Sequence, residues 1–201
     1  SFDEQAILDN GAYIYNQRAE IERIADEICE KGFDSIFFTS SGGSLAMMQP
    51  FDYMVSVMSD IPVQSQVSAD FLTVGNRRIG KGTLACMASK SGDTKETVAA
   101  AKAAKDAGCT IVSTLGVDGS PLGELSDYGV IYKQGRPMEL VLYLLIGKIL
   151  KNRGFFDDYD RFADELVNLP AALVSVGKNA DEMARAYALK HKDDPYQIWI
   201  C

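Results

Sequence analysis

Histidine is nearly absent: His191 is the only one among 201 residues. It stands in a Lys/Asp-rich stretch, so His-based metal sites and Ser-His-Asp triads are all but excluded. Cysteine is also scarce. Cys29, Cys86, Cys109 and Cys201 are widely spaced with no CxxC pair, which leaves no disulfide framework and favours a reducing compartment. Long apolar runs are lacking, because the longest, Leu140 to Ile146, is far too short to span a bilayer. The first residues are acidic and show no basic, apolar, cleavable signal. Together these absences predict a soluble, cytoplasmic chain with no membrane partner. Positive charge is in deficit as well, with 20 Lys and Arg against 28 Asp and Glu and a net charge of −8. No general basic footprint for nucleic acid remains, although a local site for a phosphorylated ligand stays open.

What is present is the balance of a globular protein, 47% hydrophobic and 24% charged, with length for one domain or for one domain plus a piece of another. Such a chain buries a core without help from a metal or disulfide. Ala6 to Lys31 reads as one helix, with Ile7, Ile14, Ile21, Ile24 and Ile28 on one face and Gly32 placed to end it. The period then changes. Ser35 to Thr39 is a short buried strand, and the turn Ser40-Ser41-Gly42-Gly43-Ser44 leads into a helix that carries Leu45, Met48, Met54, Val55 and Met58 inward.

Further strands are predicted at Val63 to Val67, Thr83 to Ala88, Thr110 to Leu115 and Tyr128 to Lys133, with a helix from Thr94 to Ala107 stopped by Gly108. Strands and helices alternating at these spacings predict an α/β fold, a three-layer doubly wound sheet of five parallel strands with helices on both faces. Helices follow at Met138 to Lys151, Tyr159 to Asn168 and Ala171 to His191. After Asp193-Asp194-Pro195 comes a second apolar run, Tyr196 to Cys201. The order of long helix, acidic turn and apolar strand repeats the beginning of the chain, and is expected to open a second copy of the domain. A C-terminal edge strand of the same sheet is the alternative. The expected organisation is an N-terminal helix over residues 1–32, the main domain over 33–153, a helical linker over 154–194, and the first strand of a second domain over 195–201.

Two loops carry the chemistry, both at strand-to-helix junctions, where ligands bind outside the carboxyl ends of strands in open α/β sheets. In Ser40-Ser41-Gly42-Gly43-Ser44, two glycines let the backbone approach a ligand, with a helix N-terminus behind them. In Ser89-Lys90-Ser91-Gly92-Asp93-Thr94, three hydroxyls, a glycine and a cation surround another helix start. Hydroxyls and backbone N–H groups together donate several hydrogen bonds to phosphate oxygens without an arginine cluster. Helix capping competes with that reading, because Asp93 with Glu96 fits a capping box. Neither loop fits a Walker A or GxGxxG pattern, so nucleotide chemistry is disfavoured.

Ser41-Gly42-Gly43-Ser44 after a first strand and Ser89-Lys90-Ser91-Gly92-Asp93-Thr94 after the third resemble the sugar isomerase (SIS) domain family, whose most specific mark is S-x-S-G-[DE]-T. Within it, the Gly-Gly-Ser loop, Tyr159-Asp160-Arg161-Phe162 and Lys192-Asp193-Asp194 with its apolar strand are most similar to the fructosamine phosphate deglycases. Those are double-SIS relatives of the isomerase half of glucosamine-6-phosphate synthase. The resemblance covers essentially the whole chain and implies a flavodoxin-like strand order. It implies that Ser44, Ser89, Ser91 and Thr94 hold a phosphate, with Gly42 and Gly43 allowing close approach. Lys90 stands where the synthases have glutamine; pairing with the phosphate and pointing to solvent both fit. The implied ligand is a phosphorylated sugar or a sugar–amino acid conjugate, with no cofactor and no metal.

The implied chemistry is proton transfer next to an imine or carbonyl carbon, followed by hydrolysis of a C–N bond. In the double-domain relatives the catalytic groups come from the second domain, so no catalytic residue is named here. Glu139 opens an apolar helix and reads more readily as a first-turn acid. Glu124 and Asp127 read as ordinary loop acids, and His191 as a solvated helix-end residue. A complete single-SIS isomerase and a phosphosugar-sensing domain of a regulator are the alternatives. A homodimer or larger homo-oligomer is expected, with Met138 to Leu150 and Ala171 to Leu189 as candidate interfaces.

Overall fold

The computed structural model describes residues 3–133, 135 and 137–196. Among these, five strands form one parallel sheet in the order β2-β1-β3-β4-β5. They are β1 (Ser35–Ser40), β2 (Val63–Val67), β3 (Thr83–Ser89), β4 (Thr110–Leu115) and β5 (Tyr128–Ile131). The period-2 geometry of a strand explains why β1 and β3 are apolar throughout. Ile36 and Phe38 point into one core with Leu84 and Cys86, while Phe37 points into the other with Ala85 and Met87.

The first face is covered by α2 (Arg18–Lys31), α3 (Gly42–Met58) and α7 (Glu139–Asn152). The opposite face is covered by α4 (Ser68–Val74), α5 (Lys95–Asp106) and α6 (Pro121–Leu125). This is the expected three-layer fold with helices on both sides. The small side chains of α5, Ala100, Ala101 and Ala104, are all fully buried and let that helix sit close to the strands. The long apolar helix α7 buries nine residues, among them Leu140, Leu144, Leu145 and Ile149, which accounts for its nearly uniform hydrophobicity.

Two sequence-based boundaries are corrected, and two short helices are added. The N-terminal helix is two, α1 (Glu4–Tyr15) and α2, interrupted at Asn16 and Gln17. The Gln17 side chain donates to the Ile131 carbonyl at 3.0 Å, so the break lets α1 leave the sheet while α2 packs against it. The isoleucine stripe runs through the break because residues seven apart share a face on both sides of it. The Gly-Ser turn is also shorter than expected. Ser40 ends β1 and Gly42 to Ser44 form the first turn of α3, leaving Ser41 alone between them. The short helices α4 and α6 were not anticipated, being too brief to show a period.

Beyond α7 the chain forms α8 (Tyr159–Glu165), a 3-10 turn at Leu166–Asn168 and α9 (Leu169–His191). Pro170 falls in the first turn of α9, where its missing N–H costs nothing. There it seats against Gly11 of α1, where a β-carbon would lie 2.1 Å from the proline ring. The apolar run expected to be a strand falls mostly at 197–201, outside the described residues. Among the described residues no helix is long and apolar enough to cross a membrane.

Candidate functional site

The strand order reverses between β1 and β3. The chain moves outward from β1 to β2, then returns across β1 to build β3, β4 and β5. Diverging connections leave a crevice at that switch point, above the carboxyl ends of β1 and β3. Register pairs Thr39 with Met87, so the two strands end side by side and bring both predicted loops together.

At the end of β1, the buried Ser40 hydroxyl donates to the Ala88 carbonyl of β3, tying the two strand ends. Ser41 is the extended N-cap residue of α3, but its side chain does not cap the helix. Its Oγ lies 3.4 Å from Thr97 Oγ1 on α5 instead. The amides of the first turn of α3 therefore have no side-chain cap. Gly42 has φ +55, a left-handed conformation that favours glycine, and Gly42 and Gly43 are both exposed. No heavy atom lies within 4 Å of where a β-carbon would stand at either one. Ser44 sits half-buried in the same turn.

At the end of β3, Ser89 is 1% exposed and organises its own loop. Its Oγ accepts the Gly92 N–H at 2.9 Å and lies 3.1 Å from Thr94 Oγ1. Gly92, at φ +73, turns the loop back. Thr94 is the N-cap of α5, and its side chain makes no capping bond because it faces Ser89. The Asp93–Glu96 capping box considered from the sequence therefore gives way to a hydroxyl pair aimed across the helix start. Lys90, Ser91 and Asp93 are exposed.

Thus the loop carrying Gly42, Gly43 and Ser44 and the loop carrying Ser89, Ser91 and Thr94 stand at the adjacent carboxyl ends of β1 and β3, joined through Ser40–Ala88 and Ser41–Thr97, with the N-termini of α3 and α5 beside them. Both helix dipoles present their positive ends there. In the core below, Cys86 of β3 has its thiol pushed up to about 12 by burial, which leaves it inert.

The acids singled out from the sequence are placed elsewhere. Glu139 does open α7, and it lines a mainly apolar cavity of ≈ 300 Å³ with Ile7, Pro137, Tyr143, Leu169 and Leu173. Its charge, after the larger effect of burial, also raises the pKa of the Tyr132 phenol. Asp127 accepts the Ile111 N–H at 2.7 Å and so fastens the edge strand β5, while Glu124 is exposed on α6. His191 ends α9, with Nδ1 2.7 Å from Asp194 and its ring on that of Tyr187. Sequence reasoning did not single out Ser40, Ser41 or Thr97 as a linked set. Ser40 and Ser41 at the end of a buried strand give a local signal for it, whereas Thr97 on α5 gives none.

The fold defines a class, a doubly wound α/β domain, here with hydroxyl-rich loops at its switch point. More specifically, the chain belongs to the SIS domain family, whose model matches residues 31–145, more than half of its length. It is 31% identical over 175 residues to the isomerizing glutamine–fructose-6-phosphate aminotransferase of Thermotoga maritima, covering 81% of this chain and 28% of that one. It is 27% identical over 179 residues to the fructosamine deglycase FrlB of Bacillus subtilis, covering 84% and 55%. The C-terminal domain of glucosamine-fructose-6-phosphate aminotransferase from Francisella tularensis has the same fold, with a TM-score of 0.75 at 17% identity over 94% of this chain and 57% of that one. The chain thus spans between about a quarter and just over half of these relatives.

Proposed function

We propose that this domain binds a phosphorylated sugar in the crevice between α3 and α5, with Ser44, Ser89, Ser91 and Thr94 donating to the phosphate. Gly42 and Gly43 admit it to the backbone, and Lys90 supplies a mobile cation at the rim. The observation that carries the reading is the Ser89–Thr94 hydroxyl pair at 3.1 Å, set at one helix N-terminus and facing another. Ser89 Oγ also accepts the Gly92 N–H, so both hydroxyl hydrogens of the pair remain available to turn to a phosphate oxygen. The site needs no cofactor for that.

In the whole protein, the domain is the phosphosugar-binding half of a double-SIS, cytoplasmic enzyme that cleaves a 6-phosphorylated sugar–amine conjugate to hexose 6-phosphate and amine. The greater length of the relatives supports this, as does a repeat in α9. There Ala180, Met183, Ala184 and Tyr187 reproduce the spacing of Ile21, Ile24, Ala25 and Ile28, the buried face of α2. Met183 and Tyr187 are 72% and 61% exposed, as expected of a face that awaits a second sheet. On this reading residues 154–194 link the domains, 195–201 begin the second one, the catalytic base and acid come from beyond, and pairing of subunits completes the assembly.

Isothermal titration calorimetry with a hexose 6-phosphate tests the binding step. Ser89→Ala combined with Thr94→Ala should weaken it at least tenfold, the scale of one or two lost charge-assisted hydrogen bonds. Unchanged affinity in the double variant would refute the assignment. Turnover of a hexose phosphate by the 201-residue chain alone would point instead to a self-contained isomerase.

A further inference from the structure

The loop after β4, residues 116–120, is stitched to the Ser89–Thr94 loop at both ends. The Gly116 N–H donates to the Ser89 carbonyl at 3.2 Å, and the Leu122 N–H donates to the Gly92 carbonyl at 2.9 Å. Between these bonds Ser120 is pressed against Gly92. A β-carbon at Gly92 would lie 2.2 Å from Ser120 Oγ and 2.3 Å from its Cβ. Ser120 is 4% exposed, and its hydroxyl has no hydrogen-bond partner among the described residues. It is the N-cap residue of α6, yet it makes no capping bond. An alanine would fold into the same place without desolvating an unpaired hydroxyl.

We propose that Ser120 is a positioning residue for the ligand site, acting through Gly92. Its side chain is the backstop that holds Gly92 in the left-handed turn. That turn aims the Gly92 N–H at Ser89 Oγ and so fixes where the Ser89–Thr94 hydroxyl pair stands. Removing the oxygen leaves a gap behind the glycine, into which the turn relaxes, and a small displacement of a binding group costs much of its effect. The role in binding rests on the phosphosugar reading; the role in shaping the loop does not.

The test uses the whole chain with Ser120→Ala and Ser120→Cys, read in two ways. In ligand-free protein, the backbone amide signals of Gly92, Asp93 and Thr94 should shift and broaden in the alanine variant and return toward their original positions in the size-matched cysteine variant. By calorimetry with a hexose 6-phosphate, the alanine variant should bind about tenfold more weakly while its melting temperature stays equal or rises. The cysteine variant should recover most of that loss. Unmoved loop amides in the alanine variant, or an affinity loss matched by a fall in melting temperature, would overturn the proposal. If the unaltered chain fails to bind a hexose 6-phosphate, the phosphosugar reading falls, and the amide signals still decide what Ser120 does.

Discussion

Ser89 and Ser91 belong to one six-residue motif, and both are assigned to the phosphate, yet the structure predicts different consequences when each is removed. Ser89 is buried and its Oγ accepts the Gly92 N–H, a bond itself buried. Ser89→Ala leaves that amide without a partner, and a buried unsatisfied donor costs about 1–3 kcal/mol. For a chain of this length each kcal/mol lowers the melting temperature by about 2–4 °C, so a fall of about 2–12 °C is expected. Ser91 is exposed. Ser91→Ala should stay within about 0.5 kcal/mol of the parent, as surface changes do. Thermal unfolding without and with a hexose 6-phosphate separates the two contributions. At a ligand concentration 100 times its dissociation constant, the parent gains about 2.7 kcal/mol. Both variants should lose much of that gain, while only Ser89→Ala melts lower in the absence of ligand. Equal melting temperatures for the two ligand-free variants would refute the idea that Ser89 frames the loop as well as lining it.

Two further outcomes follow from buried polar groups away from the crevice. Tyr159, the first residue of α8, is fully buried, with its hydroxyl 3.0 Å from Glu22 Oε1 and 3.1 Å from the Leu144 carbonyl; Tyr159→Phe should cost about 1–3 kcal/mol by calorimetric unfolding. An unchanged melting temperature would mean that this phenol does not tie α8 to α2 and α7. Cys86 titrates from 9.0 in an open chain to about 12 in the fold, where burial disfavours the thiolate. Its proton is held equally by both states below pH 9, and above that only the unfolded chain releases it. Stability should therefore decline between pH 9 and 12 by about 1.4 kcal/mol per pH unit for this one proton. Cys86→Ala should show a shallower alkaline decline in denaturant titrations, and an identical slope would contradict the burial argument.

The layered α/β fold was legible from the chain alone, because alternation of 2-residue and 3.6-residue periods is local. The strand runs at Val63–Val67 and Thr110–Leu115 fall where the structure has them, and Gly32 ends α2 as expected. The two polar loops were legible for the same reason, since a run of serine, glycine and threonine at a strand end is visible without knowing what lies beside it. The break at Asn16 and Gln17 was not legible. It carries no proline or glycine, and the bond that fixes it reaches to Ile131. Nor could the sequence tell capping from hydroxyl pairing at Thr94, as both use the same residues and differ only in a side-chain direction set by Ser89. Only the tertiary structure brought Ser40 to Ala88, Ser41 to Thr97 and Ser120 to Gly92. These contacts depend on strand order and register, which are properties of how distant segments pair across the sheet and have no counterpart in the local pattern of any one segment.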